Sequence, residues 1–452
     1  MLARSGAAVL AALLSGATSA SAQGLVFTRW GSGARAAGMA NAFMAISDDG
    51  TAASWNPAGL AQLRKPELSI VGTTSHQSVS ALGFRSGDGL SVYSPAHSSY
   101  QNTFLDFASL AVPFTAFGKP LTFQASWRRL YTLEYRENVS FTREPLTPEG
   151  PPPVRMDSNN DALGSVDTVS VAGAAKLSAH LALGLGVNFW RGDWSNEEVA
   201  SAIRLDAPQP PASRRFREDN RIRGENFAVG LMLTFPRWSV GLVHQSPLRS
   251  DYEATASMQS SASAVVAETV AEGTLRFARG VGVGGAWRPA TAWTVALDFT
   301  WDDWSGSVID TPVTGRVNLF DGLPAESTVT RDTLSINAGA ERLFLGEGFV
   351  VPLRFGAAWE PQGGRSPYTL DRVDYVMLAV GGGYNTNRVK LDAALQYRWG
   401  SFLHSGNIAM DVSASPYLPA AVGERHHSEW RLKFSLILRL TESEKGRPRP
   451  GA

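Results

Sequence analysis

The 452 residues balance 41 Lys and Arg against 41 Asp and Glu, so no net field draws the chain to nucleic acid or to acidic lipid. Charged residues are only 18% and aromatics 10%, with 13 Trp and 44 Gly, a mixture typical of neither a soluble enzyme nor a helical membrane protein. Cysteine is absent, which excludes disulfides, thiolate nucleophiles, Cys-bound metals and a lipid-modified N-terminal Cys.

Arg4, the apolar run Gly6 to Leu14 and the small-residue site Ala20-Ser21-Ala22 predict an export signal over residues 1–22, removed before Gln23. No later stretch supplies the ~18 consecutive apolar residues of a spanning helix, so none is expected. Residues 23–65 do not alternate. Ala36, Met39, Ala40, Phe43 and Met44 stand at helical spacing, Asp48-Asp49-Gly50 is a break, and Asn56-Pro57 has the form of an N-cap with Pro at the first helical position.

Over residues 66–440 apolar and polar residues alternate in segments of about ten, the pattern of transmembrane strands. It is clearest where Trp293, Val295, Leu297, Phe299 and Trp301 alternate with Thr294, Asp298, Thr300 and Asp302. The runs Leu391 to Trp399 and Trp430 to Leu440 repeat it. Side chains on a strand leave opposite faces in turn, so the apolar set meets lipid and the charged set points inward. Aromatic residues at the strand ends favour a barrel over a water-soluble sandwich, because girdles lie at membrane interfaces.

Fourteen strands are predicted, near 66–76, 104–113, 121–139, 163–177, 180–196, 220–235, 237–246, 273–288, 291–304, 327–344, 350–361, 370–384, 388–400 and 427–440. Short connections, such as 117–120, 177–180 and 385–388, alternate with long ones expected at 142–162, 197–219, 247–272 and 401–426. An even number with alternating connection lengths predicts a closed meander, an all-β transmembrane barrel with a helical N-terminal hatch in its lumen. Residues 441–452 form a charged C-terminal tail.

None of the seven His residues stands in a metal-ligand pattern, and His426-His427 should point to opposite faces of a strand. Neither a metal nor another cofactor is expected, and no nucleophile elbow or phosphate loop is visible. The run from Gly280 to Gly285 reads as small residues that leave room in the lumen. Phe27, Trp30, Phe43 and Met44 are candidate apolar contacts for a greasy ligand. Inward Arg276, Arg398 or Arg431 can hold a ligand carboxylate, although pairing with a neighbouring Asp or Glu is the preferred reading.

The segment GSGARAAGMANAFMAISDDGTAASWNPAGL resembles the hatch of FadL-type outer-membrane transporters of long-chain fatty acids and aromatic hydrocarbons. Weaker likeness lies in GLVHQSPLRSDY from Gly241, LDFTWDDWS from Leu297 and the GGGYNTNRVKLDAALQYRW run. The resemblance implies a fourteen-strand monomeric barrel in the outer membrane and places hatch and gating roles at Gly38, Asp48, Asp49, Asn56, Pro57 and Ala58. It implies passive, non-enzymatic uptake of a hydrophobic small molecule, with long-chain fatty acids first, hatch movement, and sideways release at a kinked third strand. Alternatives are an aromatic hydrocarbon channel and a non-transporting barrel that serves as an attachment site for a protein partner. In one departure, Leu440 is followed by TESEKGRPRPGA, where such barrels often end on an aromatic residue.

Overall fold

The computed structural model describes residues 30–440 except 87–88, 117, 149, 262, 366–370 and 407–420. The leader expected over residues 1–22, Phe27 and the tail from 441 lie outside the described residues. Among the described residues, strands join into one 20-stranded sheet whose last member pairs with its first, from Glu67↔Arg439 to Arg85↔Val422. This pairing closes the ring between its first and last members, as a barrel in hydrocarbon requires, because an unpaired backbone group there is costly.

Counted as staves of the wall, the segments make a 14-stranded antiparallel barrel. The first stave is β1 (Glu67–Arg85). A short β2 (Ser91–Tyr93) follows it in the connection to the second stave, β3 (Ala96–Ala116). The third is divided into β4 (Lys119–Thr132) and β5 (Tyr135–Pro145). Next come β6 (Val154–Lys176), β7 (Leu181–Arg204) and β8 (Ala212–Thr234). The seventh is divided into β9 (Trp238–Gln245) and β10 (Leu248–Ser260), and the eighth into β11 (Ser263–Phe277) and β12 (Gly280–Trp287). The ninth, β13 (Trp293–Asp302), continues through a turn into β14 (Val308–Thr311), on which β15 (Gly315–Asn318) folds back. β16 (Thr333–Leu345), β17 (Phe349–Arg365), β18 (Arg372–Thr386), β19 (Val389–Gly406) and β20 (Ala421–Arg439) complete the ring.

Alternation places side chains as the sequence predicts. In β13 the outward Val295, Leu297 and Phe299 are about 40% exposed, whereas Ala296 and Asp298 between them are buried. Aromatic residues mark both rims of this apolar band. Trp238 lies opposite Trp287 and stacks on Phe235 at 4.1 Å near the short turns, and Tyr397 stands 4.3 Å from Trp430 near the far rim. His427 is buried and its neighbour His426 is not, as expected of adjacent residues on one strand.

Three stretches expected to be long connections, 142–162, 197–219 and 247–272, are largely strand, and so are the described parts of a fourth, 401–406 and 421–426. β10 and β11 pair from Leu248↔Phe277 to Ser260↔Ser263, across the stretch 247–272. β7 runs to Arg204 and β8 starts at Ala212, β5 runs to Pro145 and β6 starts at Val154, and β19 and β20 pair up to Gly406↔Ala421. The physical reason is that these upper halves stand beyond the lipid band. Their outer faces carry Arg, Asp and Glu, so the alternation that signals a membrane strand is lost there while backbone pairing continues.

Candidate functional site: plug, cavity and side opening

Residues 30–65 lie within the ring, because their partners are inward side chains from staves all the way round. Ala34 N–H donates to Ser435 Oγ, Phe43 and Met44 N–H to Asp298, and Asn337 and Gln396 donate to the carbonyls of Ala40 and Ala37. Ser109 and Gln124 donate to Gly50 O from the opposite wall, and Ser239 to Ala45 O. The irregular backbone of the plug is thereby satisfied by lumen polar groups rather than by its own ladder. Among the described residues only α1 (Ala34–Gly38) is α-helical. The helix stops where Ala40 and Asn41 take positive φ of 49° and 68°.

Asn56 sits at the turn expected to cap a helix. Its Oδ1 accepts from Ala58 N–H at 3.0 Å and its Nδ2 donates to Met44 O and Leu231 O, both at 3.2 Å, while Pro57 opens the 3-10 turn Pro57–Gln62. One amide therefore ties two plug turns to the wall. Wall glycines make the seat: a Cβ on Gly230 would lie 2.1 Å from Asn56 Oδ1, and one on Gly184 2.3 Å from Ala58 N. Gly282 and Gly284 likewise admit Met44, which gives the glycine run its place. Gly230→Val is expected to expel the Asn56 turn, and limited proteolysis of the plug should quicken while the wall stays protected. An unchanged cleavage pattern counts against the tight seat.

Arg35 fastens α1 to the wall with a two-pronged contact to Glu341 at 2.9 and 3.0 Å, and also meets Asp48. Arg354, fully buried, bridges Glu341 and Asp392 at 2.6 Å each. Burial works against ionisation of Asp49, but Lys390 and Arg35 outweigh it and hold this carboxyl below the ordinary carboxylate range. Gly38 is the close-approach residue here, since its Cβ would come 3.0 Å from Gly381 Cα. Asp48, Asp49 and Gly38 thus share one corner, while Asn56, Pro57 and Ala58 form another.

On the side of the long connections a cavity of about 150 Å³ opens above the plug. Tyr131, Trp190, Ile222, Tyr252, Leu275 and Phe277 line it, and Val317 and Phe320 close it from the β15 side. Asp321 holds that cover, accepting from the N–H groups of Leu323, Val329 and Thr330. These wall residues were missed from sequence, although a signal was present. In β7 the outward residues Leu185, Val187 and Phe189 give way to Arg191 and Asp193, while Trp190 and Trp194 turn inward. Inversion of the alternation marks a strand that has left lipid and begun to line an apolar interior.

The wall is incomplete beside this cavity. The β3–β4 ladder ends at Phe107↔Arg128, and among the described residues no ladder joins β3 from Ala96 to Asp106 with the third stave. That stave is interrupted at Leu133 and Glu134. The pairing of β4 with β6 slips between Arg129 and Tyr131, and Gly164, at φ 127°, accepts the Leu133 N–H at 3.0 Å. Asn102 Nδ2 reaches across to Glu134 O at 2.5 Å. A second cavity of about 110 Å³ lies at this gap, lined by Phe104, Arg129, Arg431 and Lys433 among others, and shares Tyr131 and Leu133 with the apolar cavity.

Phe43 is sealed in the plug, edge-on to Trp55 at 6.1 Å. Trp30 donates to Asp302 at 3.2 Å and with Met44 lines a small cavity of about 30 Å³ that also touches Trp304. Arg398 pairs with Glu360 and Glu429, and Arg431 with Glu429 at 2.8 Å, which is the ion pairing preferred for these lumen charges. Arg276 corrects its expected place: it is exposed on the outer face, because Leu275 and Phe277 take the inward positions beside it.

A closed, lipid-faced barrel that holds its N-terminal segment within the ring and encloses an apolar cavity defines a class, the transport barrels of the outer membrane. The family model for outer membrane protein transport proteins (OMPP1/FadL/TodX) matches residues 11–404, and the chain belongs to that family. It is a transporter of hydrophobic compounds and not an enzyme. Among solved structures, a Pseudomonas aeruginosa FadL homologue is similar at TM-score 0.68 and 12% identity, over 92% of this chain and 100% of that one. The toluene transporter TodX of P. putida is similar at TM-score 0.59 and 13% identity, and TbuX of Ralstonia pickettii, also a toluene transporter, at 0.54 and 14%, each over 92% of this chain and 100% of the other. At such identities these likenesses speak for the fold. A comparison with curated protein sequences returned no match.

Proposed function

We propose that the protein takes up long-chain fatty acids or similarly built amphiphiles. The apolar body lodges against Tyr131, Trp190 and Phe277, and the ligand leaves sideways through the gap at Leu133 and Glu134 when the plug shifts. The single observation behind this reading is that the apolar cavity and the cation-bearing cavity at the gap meet at Tyr131 and Leu133. An apolar tail and an acidic head can thus be held at once. Passage needs no energy source in this scheme, because the ligand moves from the cavity toward the bilayer down its own concentration gradient.

A second reading, aromatic hydrocarbons, is favoured by a specific feature. Arg129, Arg431 and Lys433 each already face a carboxylate, Asp167, Glu429 and Asp106 respectively, which leaves an uncharged ligand at no disadvantage. Direct binding separates the two: oleate should bind the purified barrel more tightly than toluene if the first holds, and the reverse order selects the second. For the plug, the double change Asn56→Ala and Pro57→Ala is expected to reduce oleate uptake in a transporter-deficient host while the barrel still assembles. Unchanged uptake at equal surface levels removes the plug from the route.

A further inference from the structure

The outer face of the barrel carries an arginine patch that transport does not use. On staves five to eight the lipid band ends at Phe189, Phe227 and Leu242; the next outward positions are Arg191, Glu225 and His244, with Arg223, Arg249 and Arg276 beside and beyond them. Register sets them side by side. Arg191 is directly opposite Arg223 across β7 and β8, and Arg249 directly opposite Arg276 across β10 and β11. Arg223 and Arg249 are diagonal neighbours, because Arg249 faces Glu225 and Arg223 faces Asp251.

Opposed like charges on one sheet face destabilise it unless something else compensates. Arg191 has Asp193 at 3.2 Å. Arg223, Arg249 and Arg276, however, make no ion pair among the described residues, although Glu225 and Asp251 stand across the ladder from two of them. Directly opposed positions are about 5 Å apart and diagonal ones about 7 Å, spacings that long guanidinium side chains can bridge through one phosphate group. Several outward arginines elsewhere on the upper wall are engaged, Arg136 with Asp161, Arg155 with Asp157, Arg217 with Asp219 and Arg221 with Asp193, whereas Arg316 and Arg372 are exposed and make no ion pair among the described residues.

We propose that Arg223, Arg249 and Arg276, flanked by Arg191, bind the phosphate headgroup of an anionic lipid in the outward leaflet. Its acyl chains would lie on the apolar strip of Phe189, Phe227 and Leu242 below. Position is what selects a lipid over free phosphate: the arginines adjoin the hydrocarbon boundary on the side of the long connections, which in barrels of this class faces away from the periplasm. The contact would fix the height and orientation of staves seven and eight, both of which break at this level, at Ser246 and Pro247 and at Ala278 and Arg279.

The test uses the full-length barrel in neutral phosphatidylcholine nanodiscs doped with phosphorylated lipid A, with bound lipid counted by native mass spectrometry. The wild type should retain lipid A and not its dephosphorylated form, and 10 mM inorganic phosphate should not displace it. R223Q/R249Q/R276Q should retain it roughly 100-fold more weakly, at about one factor of five per arginine. R136Q/R155Q, higher on the same wall, should behave as wild type. Equal retention by the triple variant, equal retention of the dephosphorylated lipid, or displacement by phosphate alone would overturn the proposal. Because all three side chains face outward, heat-modified gel migration of the triple variant should match that of the wild type. Oleate binding measured in detergent keeps this result distinct from the transport reading.

Discussion

A barrel carrying Asn102→Cys and Glu134→Cys is expected to lose uptake to the level of a host without the protein when the pair is oxidised, and to regain it on reduction. The two positions face each other across the gap, since Asn102 Nδ2 donates to Glu134 O at 2.5 Å. A disulfide draws its Cα atoms to within about 7 Å, and here it would tie β3 to the third stave where no ladder does. The chain has no cysteine of its own, so no competing bond forms. Uptake of labelled oleate, or of toluene if the ligand is aromatic, measured before and after dithiothreitol in the same cells is the readout. The single-cysteine chains serve as controls. Full uptake with the bond formed would mean that the ligand leaves by another path, through the plug and out of the short-turn rim.

The second large effect is expected at Arg354. Its side chain is inaccessible to solvent and holds both Glu341 and Asp392, each buried, while Glu341 also receives Arg35 from the plug. Removing Arg354 leaves Glu341 with Arg35 but strands the Asp392 carboxylate away from water, at a cost of roughly 3–5 kcal/mol. Arg354→Leu should therefore loosen α1 from its corner and raise ion conductance through the barrel in planar bilayers, which reads plug displacement directly. Arg35→Gln should act in the same direction with a smaller effect, because Glu341 keeps Arg354. Adding Glu341→Leu and Asp392→Leu to Arg354→Leu should recover part of the loss, since an apolar replacement of the whole group leaves no orphan charge. Conductance equal to wild type in Arg354→Leu would mean that the glycine seat and the Asn56 bonds hold the plug without this group.

Much of this molecule is local and was therefore legible in the chain itself. Period-two alternation from Trp293 to Trp301 fixes which face of a strand meets lipid, whatever its neighbours are, because the rule depends only on adjacent residues. Asn56 before Pro57 announces its turn for the same reason: the cap bond to Ala58 spans two positions. Fourteen staves follow from such local rules together with the rhythm of short and long connections.

Contacts between distant residues decided everything else. Ala34 meets Ser435 across 401 positions and Trp30 meets Asp302 across 272, and no window along the sequence contains either pair. The apolar cavity gathers Tyr131, Trp190, Tyr252, Phe277 and Phe320 from separate staves, and the side opening exists because β3 and the third stave part company beyond Phe107 and Arg128. The pattern of a strand says which way a side chain points. Only closure of the ring, with its own N-terminal segment inside, determines what that side chain finds there.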